Sequence, residues 1–315
     1  MSSPKYSVVV PVYNRPGEVE ELLASLSRQT YTNFEVVLVE DGSAVTSLAV
    51  CEKYASRLSI QYFYKQNSGP GPSRNFGFTK AKGDFFVVFD SDCVIPPEYF
   101  LAVERHLSRE PLDVWGGPDR GHDDFTKLQQ AMAYSMSSVL TTGGIRGGAK
   151  RVGSFQARSF NMGMSRLAYE KTGGFRFDRF AEDIEFSLRS AKLGLKVGLI
   201  TEAFVYHKRR ATLRQFFRQV SNFGMGRVHV GREHSGAIKL THWFPAFFLL
   251  GLIAVPFTLI FFPWLLLGYA AYLSIVFVHA LITTHDIKVA FLSVPSVLVQ
   301  MTGYGSGFLK ALISG

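Results

Sequence analysis

Phe85-Phe86-Val87-Val88-Phe89-Asp90-Ser91-Asp92 is an apolar run that stops at two carboxylates one residue apart. A continuous apolar run bounded by polar residues suits a strand covered on both faces, as in a parallel sheet. Two acids beside a core are costly unless a cation neutralises them. A hard divalent ion, Mg2+ or Mn2+, is the fitting neutraliser, because it takes oxygen ligands and bridges to phosphate oxygens. The alternative is a strand that ends in a solvated Asp-Ser-Asp turn, and the tripeptide alone does not choose between them.

Upstream of this run the chain alternates. Tyr6 to Val12 is rich in β-formers and is broken by Tyr13-Asn14-Arg15-Pro16-Gly17. Glu18 to Gln29 follows with Val19, Leu22, Leu23 and Leu26 at helical spacing. A second strand, Phe34 to Val39, ends in Glu40-Asp41-Gly42-Ser43; a helix to about Leu58 and a strand from Ile60 to Tyr64 come next. Asn67 to Asn75 is a Gly/Pro loop opening into a helix that ends near Gly83. This is the rhythm of a doubly wound α/β domain, whose ligands bind beyond the carboxyl ends of the strands. Asn14, Asp41, Asn67 and Asp90 all fall at such ends, so they are expected to line one crevice.

Beyond Asp92 the rhythm changes. Pro96-Pro97-Glu98 opens a helix to about Ser108, and strands are expected at Val114–Gly117, Phe160–Ser165, Lys196–Ile200 and Phe204–His207. Gly143 to Gly153, with Arg146, Lys150 and Arg151, reads as a basic mobile loop. Ala181-Glu182-Asp183 begins a helix running to about Lys192, and acids in a first turn are favoured by the helix dipole whether or not they have another task.

The 315 residues carry a net charge of +9, with 47% hydrophobic residues and a mean hydropathy of +0.12. The apolar excess lies after His242 and the basic excess before it. Such a division points to an anionic membrane surface, an anionic substrate or both. No zinc-finger, RNP or helix-turn-helix signature supports nucleic acid. Cys51 and Cys93 form no C-x-x-C pair, which argues against a disulfide framework or a cysteine zinc site. No apolar h-region precedes Tyr6, so no signal peptide is expected and the globular part is expected in the cytosol.

Lys208 to Arg232 is basic and helical, with Lys208, Arg209, Arg210, Arg214, Arg218, Arg227 and Arg232 alternating with Phe216, Phe217, Val220 and Phe223. It reads as an interfacial helix on anionic headgroups; a helix packed on the domain is the alternative. Trp243 to Ile282 has no Asp, Glu, Lys or Arg, enough for two membrane spans of about twenty residues each, turning at Phe262-Pro263-Trp264. Val289 to Ile313, interrupted by Pro295 and a Gly-rich stretch, is either a third span or an interfacial helix, and a span is favoured. The expected organisation is therefore 1–207 globular, 208–241 interfacial and 242–315 in the membrane. The basic flank sets the globular part on the cytoplasmic side of a cell inner membrane.

VVVPVYNR at Val8–Arg15, VEDGS at Val39–Ser43, GPGPSRNFG at Gly69–Gly77, FDSD at Phe89–Asp92, FNMGMSR at Phe160–Arg166 and AED at Ala181–Asp183 occur in that order. Together they resemble the family-2 glycosyltransferases of the GT-A fold over roughly the first two-thirds of the chain. The resemblance implies a nucleotide-sugar donor, a UDP-sugar foremost. It implies that Pro11 and Tyr13 touch the base, with Arg15 in the same motif, and that Asp41 accepts from a uracil-type imide. Arg74 neutralises charge near the base and diphosphate, Asp90 meets the ribose or Arg74, and Asp92 ligates the metal, with Ser91 between them in the donor motif. Asp92, Asp90 and His207 are the implied ligands of Mg2+ or Mn2+. Asp183 is the implied base of an inverting transfer, and Glu182 and Asn161 are acceptor contacts. Processive synthases of the family carry Q-x-x-R-W, whereas this chain has Gln215-Phe216-Phe217-Arg218-Gln219, with Gln219 in place of the tryptophan. Single-sugar transfer to a lipid-linked or membrane-proximal acceptor is therefore favoured. Polyprenyl-phosphate sugar synthesis and a non-catalytic nucleotide-sugar-binding scaffold are the competing readings, and an oligomer is compatible with all three.

Overall fold

The computed structural model describes residues 4–120, 125–142, 155–208, 210–258 and 260–314. The expected basic loop at 143–153 and Arg209 lie outside the described residues. The chain forms two compact units, Met1–His122 with Phe155–Lys208, and Asp123–Ser154 with Arg209–Gly315.

The first unit runs β1 (Tyr6–Val12), α1 (Pro16–Leu26), β2 (Phe34–Asp41), α2 (Leu48–Tyr54), β3 (Ile60–Lys65), α3 (Pro70–Lys80), β4 (Phe85–Phe89), β5 (Cys93–Val94), α4 (Tyr99–Arg109), β6 (Val114–Gly116) and β7 (Asp119–Arg120). After α5 (Lys127–Ser137) and α6 (Val139–Thr142), which belong to the second unit, it resumes with β8 (Asn161–Ser165), α7 (Arg166–Thr172), α8 (Glu182–Lys192), β9 (Val197–Leu199) and β10 (Val205–His207). Seven strands form a sheet in the order β3-β2-β1-β4-β8-β6-β9, parallel except for β8, which is antiparallel to both neighbours. A smaller sheet orders β5-β10-β7.

The unbroken apolar strands are explained by burial on both faces. Val8, Val10, Val36, Leu38, Val87 and Phe89 pack into one layer, while their alternates Val9, Val37, Val39, Phe86 and Val88 pack into the other. β8 fits between β4 and β6 because Gly163 leaves room for Trp115; a Cβ there would stand 2.0 Å from the indole. From β1 the chain winds outward through β2 and β3, then returns to place β4 on the other side. The crevice at such a switch point, beyond the strands' carboxyl ends, is where doubly wound sheets bind ligands.

The second unit gathers α5 and α6 with α9 (Leu213–Glu233), α10 (Phe244–Thr258), α11 (Pro263–Thr284) and α12 (Ile287–Ile313). Thr126 and Gln129 form a capping box at the start of α5. The Tyr134 hydroxyl lies 2.8 Å from His279 Nδ1, the Tyr272 hydroxyl donates to the Leu140 carbonyl, and Lys127 pairs with Asp286. Segments Leu240–Thr258, Pro263–Thr284 and Ile287–Ile313 are each long and apolar enough to cross a membrane. α12 is continuous through Pro295 and the glycines that suggested interruption. Those glycines serve close approach instead: a Cβ at Gly307 would lie 2.0 Å from the Ser221 carbonyl oxygen, and one at Gly305 2.4 Å from that of Pro245. Phe216 and Val220 of α9 are accordingly buried against protein, so that face of the basic helix is packed rather than offered to lipid.

Candidate active site

Three strand ends meet in the first unit. Asn14, just past β1, adopts φ +54°, a conformation asparagine tolerates better than most residues. Its Oδ1 accepts from the Ala44 and Val45 amides, tying the loop after β1 to the loop after β2. Asn67 Nδ2 donates to the Asp41 carbonyl and so ties in the loop after β3. Tyr13 is 54% exposed beside these loops, while Pro11 lies half-buried within β1.

Asp41 is buried, and its carboxylate accepts from Lys65 Nζ at 2.5 Å and from the Ser68 and Gly69 amides at 2.9 and 2.8 Å. Burial works to raise its pKa, but Lys65 and the two amides outweigh it and hold the group below the usual carboxylate range. Lys65 ends β3 and could have been found by the same strand-end rule as its neighbours.

Arg74 joins the two halves of the site. Carried on α3 and only 2% exposed, it donates from one guanidinium nitrogen to Asp90 and from another to Glu182, both at 2.7 Å. A planar multi-donor cation can hold two carboxylates in fixed directions, which a lysine cannot. The bridge draws the first turn of α8 to the end of β4, although 92 residues separate Glu182 from Asp90 in the chain.

α8 starts abruptly because Ala181 adopts φ +58°, a left-handed conformation costly for alanine. Glu182 is buried, and desolvation raises its pKa to about 7; Arg74, shared with Asp90, opposes this, and Asp183 adds to it. Asp183 Oδ1 accepts from the Ile184 amide at 2.8 Å and Oδ2 from the Ser159 amide at 3.3 Å, with Arg158 3.7 Å away. Arg158 and Ser159 were not anticipated. They lie in irregular chain before β8, where no periodicity marks them.

Asp92 is directed elsewhere. Its Oδ2 receives Arg15 at 3.1 Å, and its Oδ1 lies 3.1 Å from His207 Nε2 at the end of β10, with the Phe160 ring stacked on the imidazole. Ser91, between the two acids, is buried. Asp92 thus faces His207, while Asp90 faces Arg74, one of the two partners expected for it. Asp92, Cys93 and His207 present ligand atoms within 4.8 Å of one another. Burial pushes the Cys93 thiol well above its ordinary pKa and its sulfur lies 3.5 Å from the Phe160 carbonyl, so it remains a thiol and suits a hard cation poorly.

Asn161 is not a cleft residue. Met162 and Met164 of β8 face one layer of the core, so the alternating Asn161 faces the opposite side, fully buried. Its Oδ1 accepts from the Tyr99 hydroxyl at 2.7 Å and its Nδ2 donates to the Ala203 carbonyl at 2.8 Å. The expected acceptor contact is replaced by an internal strut.

The model of the family described as Glycosyl transferase family 2 matches residues 7–180, which hold every strand-end acid of this crevice. The chain belongs to that family. Among curated relatives, the poly(ribitol-phosphate) beta-N-acetylglucosaminyltransferase TarS of Staphylococcus aureus is 40% identical over 114 residues, 35% of this chain and 20% of TarS. The putative glycosyltransferase EpsH of Bacillus subtilis is 38% identical over 100 residues, 31% of this chain and 29% of EpsH. The matched stretch spans less than a third of either relative. Among solved structures, the mannosyltransferase PcManGT of Pyrobaculum calidifontis has a TM-score of 0.65 at 17% identity, over 100% of this chain and 88% of that one. Residues 1–349 of S. aureus TarS have a TM-score of 0.54 at 19% identity, over 99% and 92%. At these identities the likeness is one of fold: this family-2 transferase has the GT-A architecture followed by apolar C-terminal helices.

Proposed function

We propose that the chain transfers one sugar, with inversion, from a nucleotide-sugar to a lipid-linked or membrane-proximal acceptor on the cytoplasmic face of a membrane. The carrying observation is the Arg74 bridge, which sets Asp183, one residue beyond Glu182, across a common guanidinium from the end of β4. Solved relatives support a nucleotide-sugar donor: the PcManGT structure holds GDP-Man and Mn2+, and one TarS structure holds UDP-GlcNAc.

The donor set fits a divalent ion. Asp92 Oδ1 and His207 Nε2, 3.1 Å apart, belong to a cluster of ligand atoms within 4.8 Å of one another and are the two that would hold Mg2+ or Mn2+. When bound there, Mg2+ or Mn2+ supplies positive charge to the leaving diphosphate.

The remaining tasks fall to the chain. Asp183, held by the Ile184 and Ser159 amides, takes the proton of the acceptor hydroxyl as its oxygen attacks the anomeric carbon opposite the departing diphosphate. Arg74 keeps the α8 turn and Asp90 at fixed separation, and Glu182 orients the acceptor beside the base. Asp41 with Lys65 presents an acceptor and a donor side by side to the edge of the base, and Tyr13 offers its exposed ring to the base face. A scaffold that only binds nucleotide-sugar has no use for a carboxylate positioned this way.

Nucleotide release from a panel of sugar nucleotides, with extracted membrane lipids as acceptor, tests the proposal. Asp183→Asn should lower turnover by about 10²- to 10⁴-fold, the usual share of a general base, with little change in donor binding. Unchanged turnover in that variant sinks the assignment. A product cleaved by mild acid identifies polyprenyl phosphate as the acceptor, and an acid-stable product excludes it.

A further inference from the structure

The α10–α11 hairpin differs from an ordinary pair of membrane spans at its turn. Phe257, Ile260, Phe261, Phe262 and Trp264 are 62–87% exposed, and no charged residue occurs anywhere in the turn. Standing in bulk water, this turn would leave a contiguous apolar surface hydrated, which is unfavourable.

A turn kept in hydrocarbon must instead satisfy its own backbone, since lipid offers no hydrogen bonds. This one does so. The Phe261 and Phe262 amides donate to the Thr258 carbonyl at 3.0 and 2.6 Å, the Leu265 amide donates to the Phe262 carbonyl at 3.1 Å, and Pro263 has no N–H to satisfy.

α12 is long enough to cross but has the wrong neighbour. Val299, midway between Lys288 and Lys310, packs in a cluster with Phe216 and Val220 of α9. A Cβ on the nearby Gly303 would lie 2.6 Å from the Val220 side chain. Arg214, Gln215 and Arg218, on the same turns of α9, are exposed. A membrane-crossing α12 would carry those arginines to the bilayer centre facing lipid, among the costliest placements a side chain can have.

We infer that α10 and α11 form a re-entrant hairpin that enters the bilayer from one face, turns within the hydrocarbon and leaves by the same face, and that α12 does not cross. The occupant of the exposed apolar surface is the acyl region of the lipid bilayer. The inference rests on the membrane attachment in the proposed function and is independent of the transfer chemistry.

The test uses the full chain carrying Phe262→Cys or, separately, Ile260→Cys, both at exposed positions, while the native Cys51 and Cys93 are buried. Bimane is attached in detergent and the protein is reconstituted into phosphatidylcholine–phosphatidylglycerol vesicles. Flotation reports attachment, and nucleotide release on the same sample reports the chemistry. Spin labels deep in the acyl chain should quench the bimane at least threefold more than headgroup labels, and aqueous iodide on either side should not quench it. Stronger quenching by headgroup labels, or quenching by iodide, overturns the inference. In inverted membrane vesicles, Ser314→Cys after α12 and Leu193→Cys in the first unit should react with an impermeant maleimide from the same side. Reaction from opposite sides means that α12 crosses.

Discussion

Replacing Glu182 by glutamine removes half of a buried double salt bridge, yet it should stabilise the first unit at alkaline pH. The reason is that Arg74 serves two carboxylates at 2.7 Å each, so its charge does not fully compensate the desolvation of Glu182 with Asp183 next to it. The carboxyl titrates at about 7 in the fold, against 4.5 for an ordinary glutamate. At 1.36 kcal/mol per pH unit, ionising it costs about 3 kcal/mol more in the folded chain than in the unfolded one. The sign follows from the raised value. The stabilising contribution of the protonated group is fully present below pH 4.5, is lost as pH rises to about 7, and is gone above. Glutamine keeps an oxygen for Arg74 and does not titrate. Urea unfolding from pH 5 to pH 8.5 should therefore show the Glu182→Gln protein gaining about 2–3 kcal/mol on the parent across that range. Trp115, buried in the sheet, can serve as reporter once Trp243 and Trp264 are replaced by phenylalanine. Parallel curves, or a variant that falls further behind as pH rises, would show that the ionised Arg74–Glu182 pair dominates and that the desolvation argument is wrong.

Ala181→Gly should relieve the left-handed strain before α8 and raise the urea midpoint by an amount corresponding to about 1 kcal/mol. Turnover should drop as the α8 turn loosens, and a lowered midpoint would mean that the Ala181 side chain contributes packing that outweighs the strain. His207→Ala should raise the Mn2+ concentration needed for half-maximal nucleotide release by at least about tenfold. An unchanged metal titration would remove His207 from the ligand set.

Much of this molecule is legible without coordinates. Runs such as Val8–Val10, Phe34–Val39 and Phe85–Phe89 are apolar without alternation because both faces of a parallel sheet are covered, and that local property identifies the fold class. The strand-end acids Asp41, Asp90 and Asp92 are legible for the same reason, since polar residues at the end of a buried strand stand out. So is the uncharged stretch from Trp243 to Ile282. Partnership is not legible, because it depends on contacts between residues far apart in the chain. Tertiary structure decided that Arg74 reaches Glu182 across 108 residues, that Arg15 reaches Asp92 across 77, and that Asn161 faces the core. It also decided that α5 and α6 fold with the C-terminal helices and that the glycines of α12 admit α9 and α10 instead of breaking the helix. Periodicity is written residue by residue and records what a segment must bury; which other segment does the burying is set only when the whole chain packs.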